Sequence, residues 1–342
     1  MRRPSVLAAC AIAVLGVACA GVASARADGL PVLGVDAGGT GVGTSSGTNR
    51  YVTIPAGPGK TVIASVERSG GTVDVSTLLQ GSFTIPAVAY DGSASGLAAD
   101  GKTLVLIEPR AGFPRAETRL LSVAVSAAQL RPLRQITLHG DFSFDAISPH
   151  GALLYLIQYV SPTDPNRYLV RAYDVRAGQL LAAPVRDPRE LEKTMHGWPV
   201  TRTSSPDGRW AFTLYDGLGK TPFVHALDTS RRRAHCVDLA ALVGIDLSSM
   251  RLAVDTVRHM LVVRKGPTPI VQVDTRTFAV SAPQLPGGQG TTGHGRVFLW
   301  PLVALSILGV VALGVVFWRR PQLIGRIDVR RSPRERRAAS NS

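Results

Sequence analysis

Cysteine is scarce in this chain. Three occur in 342 residues, and two of them, Cys10 and Cys19, lie in an apolar N-terminal run. Cys236 stands alone in the remainder, which excludes an intramolecular disulfide framework there. It sits in the alternating run Ala234-His235-Cys236-Val237-Asp238-Leu239 and is expected to be a buried, inert thiol. Neither His-x-x-x-His nor Cys-x-x-Cys occurs, so no local pair of zinc-type ligands is offered. Gly92-Ser93-Ala94-Ser95-Gly96 has alanine where a hydrolase nucleophile would stand and is set aside. Long amphipathic helices are also missing between residues 61 and 280. The best candidate, residues 186–195, is short.

What is present is apolar residue, at 45% of the chain, enough to fill a core and to exclude wholesale disorder. The net charge of +14 raises the question of nucleic acid. Its placement argues against that partner, because a nucleic-acid domain gathers its basic residues on one face or element. The first 27 residues carry Arg2, Arg3 and Arg26, and residues 319–342 carry eight arginines against Asp328 and Glu335. The intervening region keeps only about +5, dispersed among acids. The run Arg231-Arg232-Arg233 reads as a solvated turn.

The two ends address a membrane. Met1-Arg2-Arg3, an uncharged run over residues 6–25 and the small-residue stretch Ala23-Ser24-Ala25-Arg26-Ala27 predict a secretory signal over residues 1–27. A lipoprotein signal at Cys19 is the rival, opposed by Gly16 where a large aliphatic residue is wanted, and an uncleaved anchor is a further alternative. Residues 297–318 contain no charge, long enough to cross a hydrocarbon core of about 30 Å. Trp300 and Trp318 stand near the two ends of this stretch, as interfacial rings do. The arginines from Arg319 onward place residues 319–342 in the cytoplasm as a basic tail. The expected topology is one C-terminal transmembrane helix in the cell membrane, with the N-terminal domain outside the cytoplasm. Residues 28–50 form a flexible Gly/Thr-rich segment, residues 51–282 the external domain, and residues 283–296 a Gly-rich tether. Gly34-Val35-Asp36-Ala37-Gly38-Gly39-Thr40 is similar to the phosphate turn of actin-like sugar kinases. Standing just after an export signal, it is read as part of the flexible segment.

A repeat fills the external domain. Asp100-Gly101, His150-Gly151 and Asp207-Gly208 each join a short strand to a longer apolar one. A degenerate fourth copy runs through Asp255 and His259. The turn recurs about every fifty to sixty residues, and a further strand ends in an acid at Asp174, Asp228 and Asp274. The Ser205-Pro206-Asp207-Gly208 turn and the endings Tyr173-Asp174 and Leu227-Asp228 resemble bacterial β-propeller repeats of the TolB-like, WD-repeat and YVTN kind. With its span and arginine tail, the whole also resembles uncharacterised actinobacterial membrane-anchored proteins. The resemblance implies an all-β, β-propeller-like domain of about five blades, one of them from residues 51–86. It implies no activity, because propellers host unrelated functions.

The longest insertion between strands, residues 187–202, combines Asp187, His196, Trp198 and Arg202 and is the candidate binding surface. His225 and His235 lie in neighbouring strands, where a pair across a sheet is one arrangement and simply packed or exposed side chains the ordinary one. The leading functional expectation is a binding or scaffolding module that meets an envelope protein or small ligand at the propeller face, with no catalytic or cofactor set identified. The alternative is an anchored propeller-type enzyme (hydrolase, lactonase or lyase) that draws ligands from several blades. Asp100, Asp145, Asp207 and Asp255 recur near blade starts and would be its acids.

Overall fold

The structure, a computed structural model, describes residues 41–192 and 194–283. The signal, tether, span and tail expected from the sequence lie outside the described residues. Among the described residues no helix is long and apolar enough to cross a membrane.

The described chain is all-β apart from two single 3-10 turns, Gly217–Gly219 and Ala240–Leu242. Its strands form five antiparallel sheets in chain order. The first holds β1 (Asn49–Pro55), β2 (Lys60–Glu67) and β3 (Val73–Gln80). The second holds β4 (Thr103–Ile107), β5 (Glu117–Val125) and β6 (Leu130–His139). The third holds β7 (Phe142–Ile147), β8 (Leu153–Tyr159), β9 (Tyr168–Asp174) and β10 (Gln179–Leu180). The fourth holds β11 (Pro199–Ser204), β12 (Trp210–Tyr215), β13 (Phe223–Asp228) and β14 (Arg233–Asp238). The fifth holds β15 (Met250–Asp255), β16 (Met260–Lys265), β17 (Thr268–Asp274) and β18 (Val280–Ser281). Each sheet is a meander, with every strand paired to its chain neighbour. The succession is that of propeller blades. The segment 186–195 forms no helix.

The repeated residues have local jobs. Asp174, Asp228 and Asp274 end their strands and accept backbone N–H bonds from the turn beyond: Ala177, Ser230 with Arg231, and Arg276 with Thr277, all at 2.8–3.1 Å. Such Asx turns compete well with continued strand. Gly151 and Gly208 take φ of +72° and +70°, which the tight hairpin turn requires. The turns also nest against earlier repeats. A Cβ on Gly208 would fall 2.6 Å from the Ala99 Cβ, and one on Gly151 would fall 3.0 Å from Thr103.

Alternation along each strand gives every inner sheet two apolar faces. Ile63 and Leu79 meet Leu104 and Val123 between the first and second sheets. Ile107 and Leu120 meet Phe142 and Leu154 between the second and third. Tyr155 and Val170 meet Ala211 and Leu227 between the third and fourth. Phe212 and Val224 meet Leu252 and Leu261 between the fourth and fifth. None of these cores joins the fifth sheet to the first.

The link from β3 to β4 is the main departure from the repeat. Its hairpin, closed by the Ala87–Ala94 bridge, leaves the second sheet and lies along β11. Tyr90 and Asp91 donate backbone N–H bonds to the carbonyls of Pro199 and Val200, at 2.8 and 3.2 Å. Asp91 also reaches Arg251 of the fifth sheet at 3.5 Å. Val88 and Ala89 of this hairpin are buried, Val88 in the core between the second and third sheets.

Replacing Gly208 with Ala should destabilise the domain by roughly 2–4 kcal/mol, since left-handed strain adds to a clash. Gly266→Ala, also at positive φ but with no atom within 4 Å of the added Cβ, should cost roughly 1 kcal/mol. Thermal unfolding of the two variants measures the difference, and equal losses would refute the nesting of the turn.

Candidate functional site

The loop between β10 and β11 is pinned at both ends to β9, along the part of that strand that the two-residue β10 leaves uncovered. Val185 donates its N–H to the Val170 carbonyl at 2.8 Å, and Met195 to that of Tyr168 at 2.9 Å. Between these points the chain turns Asp187 inward, 1% exposed, against β14. Its carboxylate accepts the N–H of Cys236 at 2.9 Å, the N–H of Arg189 at 2.9 Å and the Arg189 guanidinium at 2.5 Å. Burial alone would raise this carboxyl. The bonds from Arg189 and Cys236 outweigh it and hold the group down at about 2. The half-buried Cys236 thiol is pushed up to about 12 by burial and by the carboxylates of Asp187, Glu190 and Asp238. Such a thiol stays protonated and unreactive at neutral pH.

Asp187 forms the inner wall of a cavity of about 540 Å³ that Glu190, His196, Lys220, Phe223 and Cys236 also line. Leu191 stands on the rim of this cavity, 98% exposed. Donor atoms of Asp187, Glu190 and Cys236 lie within 4.8 Å of one another. A cation there would have to displace the Arg189 guanidinium from Asp187, so the trio is better matched to an internal ion pair than to a metal.

Of the four residues that the sequence singled out, Asp187 and His196 share this cavity. Trp198 turns to Tyr90, with ring centroids 5.5 Å apart, and its N–H bonds Asp216 at 2.8 Å. Arg202 lies elsewhere, in the interface between the third and fourth sheets. Its side chain is 4% exposed and binds Asp145, a residue of the β7 bulge, at 2.5 Å.

Arg202 begins a polar row in that interface. Cross-strand register sets Arg202 opposite Thr213, Thr213 opposite His225, and His225 opposite Cys236. Residues in register share a face, so the row crosses the whole fourth sheet, from the Asp145 pair to the Asp187 pair. Tyr159, Tyr168 and Tyr215 pack beside it, with centroids 6.3 and 6.4 Å apart. His225 is 2% exposed, and burial pushes it down to about 4. The Nε2 of His225, the Oδ2 of Asp145 and the Nε of Arg202 make no hydrogen bond. His235 is opposite Ala226 and therefore on the other face, stacked on Phe278 at 4.4 Å. His225 and His235 therefore do not pair: a one-residue offset puts the two side chains on opposite faces.

The remaining acids serve structure as well. Asp141 is clamped between Arg110 and Arg115, at 2.5 and 3.3 Å, and Arg110 lies 4.8 Å from the centroid of the Tyr159 ring. Asp100, Asp207 and Asp255 accept backbone N–H bonds within their own turns, from Lys102, Arg209 and Val257. A smaller cavity, about 290 Å³, opens where the β3–β4 link meets β7 and β11. Thr44, Ser93, Ser95, Arg202, Ser204 and Thr229 contribute polar lining. Gly43-Thr44-Ser45-Ser46-Gly47 borders it and matches the hydrolase spacing, but no helix follows Ser45 to form a nucleophile elbow. Sequence reasoning missed this run and the role of Tyr90, Asp91 and Ser93. The glycines at 92 and 96 signalled a turn there but not where it would dock.

No family model matches the chain, and no curated protein is similar to it. Solved structures are similar at low identity. One is TolB from Acinetobacter baumannii, at 14% identity and a TM-score of 0.37, over 67% of this chain and 49% of that one. A second is AztD from Citrobacter koseri, at 15% identity and 0.35, over 68% and 58%. A third is hydrazine synthase from Kuenenia stuttgartiensis, at 13% identity and 0.40, over 71% and 70%. The chain spans about half the length of the TolB structure.

Two measurements test the buried row. Arg202→Ala strands the Asp145 carboxylate and should cost roughly 3–5 kcal/mol. Arg119→Ala, which removes an exposed pair with Glu108 at 3.3 Å, should cost under about 1 kcal/mol. Denaturant unfolding would show the contrast, and similar losses would deny the Arg202 pair its role. His225 binds a proton more weakly folded than unfolded, so stability is full above pH 6.5 and falls as pH drops towards 4. The loss should reach about 3 kcal/mol, and His225→Gln should flatten the slope in that window. Asp187, held low, loses its contribution in a separate window, as pH falls from 3.8 towards 2.

Proposed function

We propose that this chain is a β-propeller-like binding module, displayed outside the cytoplasm on a C-terminal membrane span, that meets an envelope protein at the cavity beside residues 187–196. One observation carries the reading. The cavity floor is fixed by the hydrogen bonds from Cys236 and Arg189 to buried Asp187, while its rim presents Leu191 almost fully to solvent. A rigid polar floor beside an exposed apolar side chain suits partner recognition, because little is ordered on binding and an apolar anchor is ready to be buried. The export signal and the arginine-flanked apolar segment of the sequence support the location.

Leu191→Cys in the full-length chain, treated in intact cells with a membrane-impermeant photoactivatable maleimide, tests both halves. Labelling at 191, followed by capture of one protein that is not captured from Val257→Cys in the fifth sheet, is the expected result. Absence of labelling would refute the location. Labelling with no partner, or the same capture from both positions, would refute recognition at this cavity.

A further inference from the structure

A second concave surface lies at the opposite end of β12 from the cavity above and is independent of the function proposed there. Four hairpin turns of the fourth and fifth sheets meet around a groove of about 760 Å³. The β11–β12 turn contributes Arg209, the β13–β14 turn Arg231 and Arg233, the β15–β16 turn His259, and the β17–β18 turn Arg276. The basic run that reads in sequence as a solvated turn is thus one of four basic turns brought together by two sheets.

The carboxylates nearby are already engaged. Asp228 takes the Arg209 guanidinium at 3.0 Å and two backbone N–H groups of its own turn. Asp207 accepts the Ser205 hydroxyl and the N–H of Arg209. Asp255 accepts the N–H groups of Val257 and Arg258 and lies 3.8 Å from the Arg258 guanidinium. Asp274 caps the turn that carries Arg276. Arg231, Arg233 and Arg276 form no ion pair among the described residues, and Arg276 meets only the field of the Asp274 carboxylate. Arg276 instead donates to the ring nitrogen Nε2 of His259, a neutral partner that leaves its charge uncompensated and its other N–H groups available to a ligand.

The wall behind these groups is aromatic. Trp210 packs edge-on against Phe278 at 5.4 Å and stacks on Phe212 at 5.9 Å, and Arg209 lies 5.5 Å from the centroid of the Trp210 ring. His235 lines the groove as well, with a buried Nδ1 that makes no hydrogen bond. An apolar wall keeps the local dielectric low and strengthens the field of the guanidiniums.

We propose that this groove is a binding site for a phosphate-bearing ligand. Guanidiniums from separate turns can each donate to a different oxygen of one tetrahedral phosphate, whereas a planar carboxylate is satisfied by a single fork. The volume exceeds that of a phosphate ion, which leaves room for the group it esterifies. A soluble phosphate ester and a lipid headgroup share this chemistry.

The test uses the full-length chain in neutral detergent micelles and calorimetric titration. The probes are inorganic phosphate, glycerol phosphate, and short-chain phosphatidylglycerol or phosphatidylcholine mixed into the micelle. Saturable binding of at least one anionic probe is expected, weakened roughly tenfold in Arg231→Ala/Arg233→Ala and in Arg276→Ala. Arg131→Ala, an exposed arginine of β6, should bind as the wild type does. Unchanged thermal unfolding shows that the variants fold. Glycerol phosphate binding identifies a soluble ester, and phosphatidylglycerol binding alone identifies a headgroup. No saturable binding, equal binding of phosphatidylcholine, or binding indifferent to the groove variants would overturn the site.

Discussion

A sheet with an apolar face must bury that face against another element, and everything in this domain follows from that constraint. Each sheet gains its stability by sharing an apolar core with the next one along the chain. The five sheets therefore depend on four interfaces rather than on one central core. Inner sheets are held on two faces, end sheets on one. The hairpin laid along β11 adds a connection between sheets that are not chain neighbours, tying the second sheet to the fourth and, through Asp91, to the fifth.

The interface between the third and fourth sheets differs from the other three in its chemistry. Apolar side chains surround a row of polar ones, and the row is anchored at each end by an arginine–carboxylate pair. Removing such charges from water is costly, and the pairing of Asp145 with Arg202 is incomplete on both sides. What the row supplies is discrimination. Moving β12 or β13 by one residue would turn Thr213 or His225 to the other face and set apolar side chains against the two ion pairs. The outer pair, Asp187 with Arg189, also fixes the floor of the cavity, so the geometry of the candidate site is inherited from the packing of the sheets.

Much of the fold could be read in the sequence because its turns are written in local chemistry. Asp207-Gly208 and the strand-ending Asp228 act on atoms two or three residues away, and their neighbours suffice to identify them. The first sheet was legible only as a remainder, since β1 to β3 carry no Asp-Gly turn. The path of residues 86–95 was not legible. It is decided by carbonyls of Pro199 and Val200, more than a hundred residues along the chain. The candidate site was legible in part. Asp187 and His196 belong to one cavity, but Trp198 leads into β11 and is drawn to Tyr90, and Arg202 lies within that strand, where alternation governs where its side chain goes. Arg209, the pair Arg231 and Arg233, and Arg276 are separated from one another in sequence by whole strands, so only the pairing and packing of the sheets reveal that they adjoin.

Among the described residues no apolar core joins the fifth sheet to the first, and the chain continues from the fifth past the last described residue. That sheet closes with β18, a strand of two residues zipped to β17 by two register pairs. Tension transmitted through residues beyond Ser281 would load this pair first and would peel strands one hydrogen-bonded step at a time. Yielding would begin beside Phe278 and Arg276, where the aromatic wall and the last of the four basic turns are built. The domain is therefore mechanically weakest at the concave surface that the fourth and fifth sheets build together.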